Sequence, residues 1–315
     1  MKILLTGKNG QVGWELQRTL ATLGKIIPVD RNQLDLSNPD SIRTVIREAK
    51  PDLIVNAAAY TAVDKAESEP ELAMAINGIA PGIMAEEAKR LNAAIIHYST
   101  DYVFDGAKTS PYVEDDAPNP INVYGKTKLA GEQAIQAAEV PYLILRTSWV
   151  YGARGKNFLL TILRLAKERD ELKIVDDQIG APTWSRMIAE ATGQILAQCF
   201  SPLIDDLSGP SGHRKPEFHK SRVTAFSRLT DVSGVYHLTS GGQTSWYGFA
   251  KAILECAPPL MPHPSLKPIP TSEYPLPAVR PKNSAISNDR LLQTFGIALP
   301  DWNYALRLCL DEVQG

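Results

Sequence analysis

The chain has 315 residues, of which 44% are hydrophobic and 22% charged, and its formal net charge is −2. That length serves one large domain or two smaller ones. The charge balance excludes a basic surface for nucleic acid or an anionic membrane, and no apolar run approaches the length of a bilayer span. The N-terminus reaches Gly7 before a signal-peptide core forms. Cys199, Cys256 and Cys309 are odd in number and widely spaced, so neither a disulfide framework nor a zinc pattern follows, and a reducing cytosol is expected. The five histidines have no metal-ligand spacing.

In chain order, residues 2–6 form an apolar run bounded by glycine, which predicts a buried strand. A glycine loop follows over 7–13, then a helix over 14–23 and a strand over 26–30. A helix is predicted over 40–50, with Ser37 or Asn38 as its cap and Pro39 near its first turn. Next come a strand over 53–57 and a long helix over 71–91, kinked or broken near Pro81. A strand over 94–99, a helix over 122–138 and a strand over 142–147 complete the first half. This alternation predicts an α/β fold, a Rossmann-like doubly wound parallel sheet with helices on both faces. Residues 1–150 are expected to form the nucleotide-binding domain, and 151–315 a smaller, less regular substrate lobe that returns chain to the sheet. In that second half, helices are predicted over 157–169, 184–198, 290–294 and 302–313. Residues 205–222 read as a mobile insertion. The eight prolines from 258 to 277 predict an extended connection.

Gly7, Gly10 and Gly13 give G-x-x-G-x-x-G between a predicted strand and a predicted helix. Glycines there let the backbone turn tightly and approach a pyrophosphate, which the helix N-terminus then meets with free N–H groups. Asp30 closes the next strand, where a carboxylate hydrogen-bonds ribose hydroxyls, and Arg31 beside it can pair with a 2′-phosphate. Ala57, Ala58 and Ala59 end the third strand; small side chains there admit a cofactor, pack a helix closely, or both.

Tyr124 and Lys128 are four apart, so they share one helix face. An ammonium one turn away is expected to lower the phenol's pKa, letting the pair move a proton at neutral pH. The spacing alone is weak, because Tyr247 and Lys251 repeat it.

The segments Thr6-Gly7-x-x-Gly10-x-x-Gly13, Asn56-Ala57-Ala58-Ala59, Ser99-Thr100-Asp101 and Tyr124-x-x-x-Lys128 together resemble the extended short-chain dehydrogenase/reductase superfamily. Within it the chain resembles the dTDP-4-dehydrorhamnose reductase family. That likeness is carried by residues 98–106, 122–132 and 146–151, by Asp177-Gln178-x-Gly180-Ala181-Pro182-Thr183 and by Arg280-Pro281-x-Asn283-Ser284. It covers nearly the whole chain and is weakest over 201–226 and before Arg280. The resemblance implies reduction of a 4-keto-6-deoxy sugar on dTDP by NADPH or NADH. It implies Thr100, Tyr124 and Lys128 as the catalytic group, and it selects Tyr124 over Tyr247, which falls after the sheet is complete. Asn9, Gln11, Val12, Asp35, Leu36, Tyr124 and Lys128 join the implied cofactor contacts, Lys128 by holding the nicotinamide ribose. Thr100, Asp101, Trp149 and Arg280 are the implied substrate contacts; Trp149 could equally be a packed anchor and Arg280 a surface arginine. The resemblance also admits a homodimer, bridged in some relatives by Mg²⁺ on glutamates, for which Glu15, Glu190 and Glu312 are the candidates, although their setting favours plain helix-surface residues. Two other readings stay open: a different nucleotide-sugar enzyme such as an epimerase or dehydratase, and a non-catalytic subunit resembling the regulatory β-subunit of methionine adenosyltransferase. Against a dehydratase, Tyr102 stands where the Thr-Asp-Glu run of those enzymes has its second acid.

Overall fold

A computed structural model describes residues 1–200, 227–257 and 264–314. The mobile insertion expected over 205–222, and Pro258, Pro259 and Pro262, lie outside the described residues. The first half builds β1 (Lys2–Thr6), β2 (Lys25–Val29), β3 (Leu53–Asn56), β4 (Ala94–Thr100) and β5 (Tyr142–Thr147). A sixth strand, Gly234–His237, comes from the second half and pairs with β5. The sheet order is Gly234–His237, β5, β4, β3, β1, β2, and every pairing is parallel. After β2 the chain crosses to the other side of β1, so the strand order switches direction between β1 and β3. Open α/β sheets bind ligands at such a switch, beyond the carboxyl ends of the strands.

Alternate strand residues face opposite layers. Leu5, Val55, Ile96 and Leu145 bury against α1 (Gln11–Thr19) and a long second-half helix. Leu4, Ile54, Ile95 and Ile144 bury against α2 (Pro39–Ala49) and the helices that precede β4. A further core around Tyr151, Trp184, Phe249 and Leu306 holds the second half together.

Several elements depart from expectation or narrow it. Helix α1 starts at Gln11, three residues early, with Gly10 as its N-cap, so Gly13 lies inside the first turn. Asn38, rather than Ser37, caps α2 by accepting from the N–H groups of Asp40 and Ser41. After a short helix α3 (Val63–Ala66), the long helix expected over 71–91 is a series: α4 (Pro70–Met74), a π-helical turn Ala75–Ile79 and α5 (Ala80–Arg90). Pro81 does not break it. The proline sits in the first turn of α5, where a missing N–H is tolerated, and the wide turn just before absorbs the mismatch. Part of the proline-rich stretch is a strand: Ser265–Ile269 pairs in parallel with Glu171–Val175. No described helix is long and apolar enough to cross a membrane.

Candidate active site

A cleft of about 780 Å³ opens beyond the carboxyl ends of β1 and β3. The glycine loop forms one wall, and each glycine has its own reason. Gly7 has φ +72°, and a Cβ there would lie 2.9 Å from the Ala57 backbone. A Cβ on Gly13 would lie 2.1 Å from the Gly7 carbonyl oxygen. Gly10 bonds its N–H to that same oxygen at 2.9 Å and lines the cleft. The loop therefore leaves space where side chains would stand, at the N-terminus of α1, which fits a dinucleotide diphosphate. Gly7, Asn9, Gly10, Gln11 and Val12 all line the cleft; Gly13 does not, being packed beneath the loop.

At the far end lie Asp30, Arg31, Asp35 and Leu36. Lys8 Nζ stands 3.1 Å from the Asp30 carboxylate, and this hydrogen bond holds Asp30 below the usual carboxylate range. Bonds from the Ser37 hydroxyl and N–H lower Asp35 likewise. Lys8 is missing from the sequence expectation, which weighed Asp30 against Arg31 alone. The signal was available, because Lys8 lies in the glycine loop and parallel pairing of β1 with β2 brings it to Asp30. Ala57, Ala58 and Ala59 line the floor, followed by Tyr60, Thr61 and Ala62, which the sequence analysis also missed.

The other end is built by β4 and α6 (Val123–Ala137). Asn122 caps α6, its Oδ1 accepting from the Gly125 N–H at 2.8 Å. Gly125 lets the helix close onto the Tyr102 carbonyl, since a Cβ there would be 2.1 Å away. Tyr124 and Lys128 line the cleft as one face. Thr100 ends β4, with its hydroxyl in hydrogen-bond contact with Tyr124 and donating to Asp101 Oδ1 at 3.0 Å. Asp101 is buried; burial pushes its carboxyl up to about 6, against the hydroxyls of Ser284, Ser148 and Thr100. Burial also pushes the Tyr124 phenol up to about 12. The expected lowering by Lys128 is not present, because the Lys128 nitrogen turns into the sheet. It bonds the Tyr98 carbonyl at 2.6 Å and His97 Nε2 at 3.0 Å, and burial brings it down to about 8.

Thr100, Asp101, Trp149 and Arg280 do not line this cleft; Thr100 meets it through its contact with Tyr124. Trp149, at φ +45°, stacks on Trp246 at 3.6 Å between ring centroids. Arg280 forms a two-pronged pair with Asp64, with Nη2 at 2.6 Å from Oδ2, and also meets the Tyr102 hydroxyl. It is thus not the surface arginine that was one of its two readings. Tyr102 in turn packs edge-on against Tyr124. Tyr247 and Lys251 stay outside the cleft, and Lys251 pairs with Glu255 on its own helix. Of the three Mg²⁺ candidates, Glu190 and Glu312 are both paired with the Arg186 guanidinium. Among the described residues, no group of three or more metal-ligating side chains gathers elsewhere.

Nucleotide loop and Tyr–Lys pair open on one cleft at the switch point of a parallel sheet. This combination defines a nicotinamide-dependent oxidoreductase of the extended short-chain dehydrogenase/reductase class. Residues 1–204 and 220–315 match the family described as RmlD substrate binding domain. A dTDP-4-dehydrorhamnose reductase from Burkholderia thailandensis is 50% identical, over 99% of both chains. One from Escherichia coli K12 is 44% identical over 99% of this chain and 98% of its own. The crystal structure of dTDP-4-dehydrorhamnose reductase from Bacillus anthracis in complex with NADP is 34% identical over 99% of each chain, with a TM-score of 0.84. The chain belongs to this dTDP-4-dehydrorhamnose reductase family.

Proposed function

We propose that the protein reduces the 4-keto group of dTDP-4-dehydro-L-rhamnose to give dTDP-L-rhamnose, using NADPH or NADH. The observation that carries this reading is the junction of the glycine-loop cleft with Tyr124 and Lys128 at its end, with Thr100 against Tyr124 just behind them. Gly7, Asn9, Gly10, Gln11 and Val12 would hold the cofactor diphosphate. Asp30 and Arg31, with Lys8, would face the adenosine ribose; Asp35 and Leu36 the adenine; and Ala57, Ala58 and Ala59 would form the floor. When bound, the reduced nicotinamide supplies the hydride.

The chain's own share is orientation and proton supply. The Thr100 hydroxyl turns from Asp101 to the substrate oxygen and hydrogen-bonds the charge that develops there. Asp101 keeps its bond from the Ser148 hydroxyl, at 2.9 Å. Tyr124 then gives its proton to that oxygen. A phenol with its pKa raised to about 12 suits this direction, because it enters the reaction fully protonated. The alkoxide is a far stronger base than a phenolate, so the transfer still runs downhill. Lys128 lines the cleft beside Tyr124 and would hold the nicotinamide ribose. Asp101, Trp149 and Arg280 would bound the sugar and its diphosphate, Arg280 after exchanging Asp64 for phosphate oxygens.

The test is to incubate the purified protein with NADPH and dTDP-4-dehydro-L-rhamnose and follow nicotinamide absorbance. Consumption of NADPH with formation of dTDP-L-rhamnose is expected. No turnover of this sugar, with turnover of another nucleotide sugar, would overturn the substrate assignment.

A further inference from the structure

Strand β4 reads AIIHYST, and its one ionisable base, His97, is buried and unused by the chemistry above. Register places Thr6 beside Asn56 and Asn56 beside His97, on three adjacent parallel strands. Their side chains therefore share one face of the sheet. The contacts run on without a gap. Thr6 Oγ1 lies 2.7 Å from Asn56 Oδ1, the Asn56 amide 3.0 Å from His97 Nδ1, and His97 Nε2 3.0 Å from Lys128 Nζ. At its outer end, Thr6 Oγ1 accepts from the Ala58 N–H at 3.3 Å. The row thus joins the cofactor floor to the lysine of the Tyr–Lys pair.

A neutral imidazole has one donor nitrogen and one acceptor. If Asn56 donates to Nδ1, the ring hydrogen sits on Nε2 and points at Lys128, which must then be a neutral amine. If Lys128 is an ammonium, Nε2 accepts from it, and Nδ1–H needs an acceptor. A half-turn of the Asn56 amide supplies one by exchanging only its oxygen and nitrogen, and Thr6 Oγ1 then accepts from the amide nitrogen. The two arrangements differ by one proton, carried on Lys128.

We propose that His97 is a positioning residue for Lys128, and that Thr6, Asn56 and His97 form a two-state hydrogen-bonded row that sets the lysine's charge. The proposal rests on the reading of Tyr124 and Lys128 as the catalytic pair, and it adds side chains outside that pair to the control of its lysine. Burial acts alongside the row: it holds His97 well below its usual range, with the Lys128 charge adding to the effect. On Lys128 burial dominates, and Glu132 opposes it from one turn along α6 while bonded to Arg146 of β5. Tyr124 on α6, and Asp101 beyond it, are the other titratable groups at this end of the cleft.

The test is a titration of the full chain, without substrate or cofactor, by following the Lys128 side-chain carbon next to Nζ with ¹³C NMR. His97→Leu removes the Nε2 partner and leaves the ammonium only the Tyr98 carbonyl, so the acid constant of Lys128 should rise by about tenfold or more. Asn56→Asp offers His97 only an acceptor, which fixes Nδ1–H and the charged lysine, so the acid constant should fall by about tenfold or more. His97→Gln can still accept from or donate to Lys128 and should stay within about threefold of the parent. Midpoints for His97→Leu and Asn56→Asp that both coincide with the parent would overturn the proposal. So would a His97→Gln midpoint that falls with His97→Leu. Should His97→Leu not fold, Asn56→Asp decides: a raised midpoint supports the row and an unmoved one overturns it. Because no substrate is present, this result is independent of which sugar the enzyme reduces.

Discussion

Gly13→Ala gives a graded test of the nucleotide loop. The added Cβ would sit 2.1 Å from the Gly7 carbonyl oxygen and 2.7 Å from its carbon. An ordinary C···O approach is about 3.3 Å, so something must yield by about 1 Å. Gly7 has little room, because it is held at positive φ against the Ala57 backbone. Helix α1 is pinned at its other end, where Thr19 packs so closely that a Cβ on Gly193 would meet it at 2.6 Å. Overpacking of this kind costs about 1–3 kcal/mol. The smaller unfolded-state entropy of alanine returns about 0.4–1 kcal/mol. A net loss of about 1–2 kcal/mol in denaturant titration is therefore expected, and shifting the helix N-terminus should weaken NADPH binding by at least about tenfold. Gly10→Ala is the comparison. Gly10 has φ −75°, and its Cβ would meet only the Gly7 oxygen, at 3.3 Å, in the cleft that it lines. Its stability should stay within about 0.5 kcal/mol of the parent while NADPH binding still weakens. A Gly13→Ala protein with the parental denaturation midpoint and NADPH dissociation constant would refute this account of the loop.

Tyr124→Phe should lower turnover by about 10²–10⁴-fold with NADPH binding retained, and Tyr247→Phe should remain active; the reverse pattern in the reductase assay would move the chemistry to the wrong helix. NADH and NADPH should differ by less than about 100-fold in kcat/KM. Lys8→Ala and Arg31→Ala should each weaken NADPH use more than NADH use, and Asp30→Ala the reverse; equal effects on both cofactors would show that these charges do not read the 2′-position. With dTDP-glucose and NAD⁺ no 4-keto-6-deoxy sugar should form by product chromatography, because Tyr102 occupies the second acid's place and burial raises its phenol further.

The glycine loop was legible because its signal is local: an apolar run, three spaced glycines, and an acid at the end of the next strand. Where pairing partners are far apart in sequence, local pattern was silent. Arg280 was expected at a diphosphate, but its carboxylate partner, Asp64, lies 216 residues away. The wide turn at Ala75–Ile79 follows from tertiary contacts: the Asn77 side chain bonds the Tyr60 N–H and carbonyl, at 2.8 and 3.0 Å. A proline was the only local clue, and it pointed a few residues too far along. The Tyr–Lys spacing correctly predicted a shared helix face. It carried no information on where the lysine nitrogen turns, which depends on a carbonyl and an imidazole of β4. His97 itself left a trace, as the one ionisable base in an otherwise apolar and hydroxyl-bearing strand.

Helix α6 joins the fold to the chemistry, and it does so without a broad apolar stripe. Its buried residues are Gly125, Thr127, Lys128, Gly131, Glu132 and Ile135, of which only the isoleucine is large and apolar. Hydrophobic burial alone would leave such a helix free to slide by fractions of an ångström. Three specific contacts remove that freedom. Gly125 lies against the Tyr102 carbonyl, Gly131 against the Asn77 carbonyl (a Cβ there would be 2.2 Å away), and Glu132 grips Arg146 with two bonds of 3.0 and 2.7 Å. The first two set the distance between α6 and its neighbours by excluding a side chain. The third sets the position along the axis, because a two-pronged carboxylate–guanidinium pair has one good geometry. A buried pair of this kind adds little net stability but is costly to break. Its value here is positional: it lies one turn beyond Lys128 and two beyond Tyr124, on the same helix. Proton transfer from Tyr124 to a substrate oxygen held by Thr100 depends on alignment within tenths of an ångström. The glycines and the buried ion pair that look poorest for helix stability are therefore the residues that hold the catalytic pair in register with the end of β4.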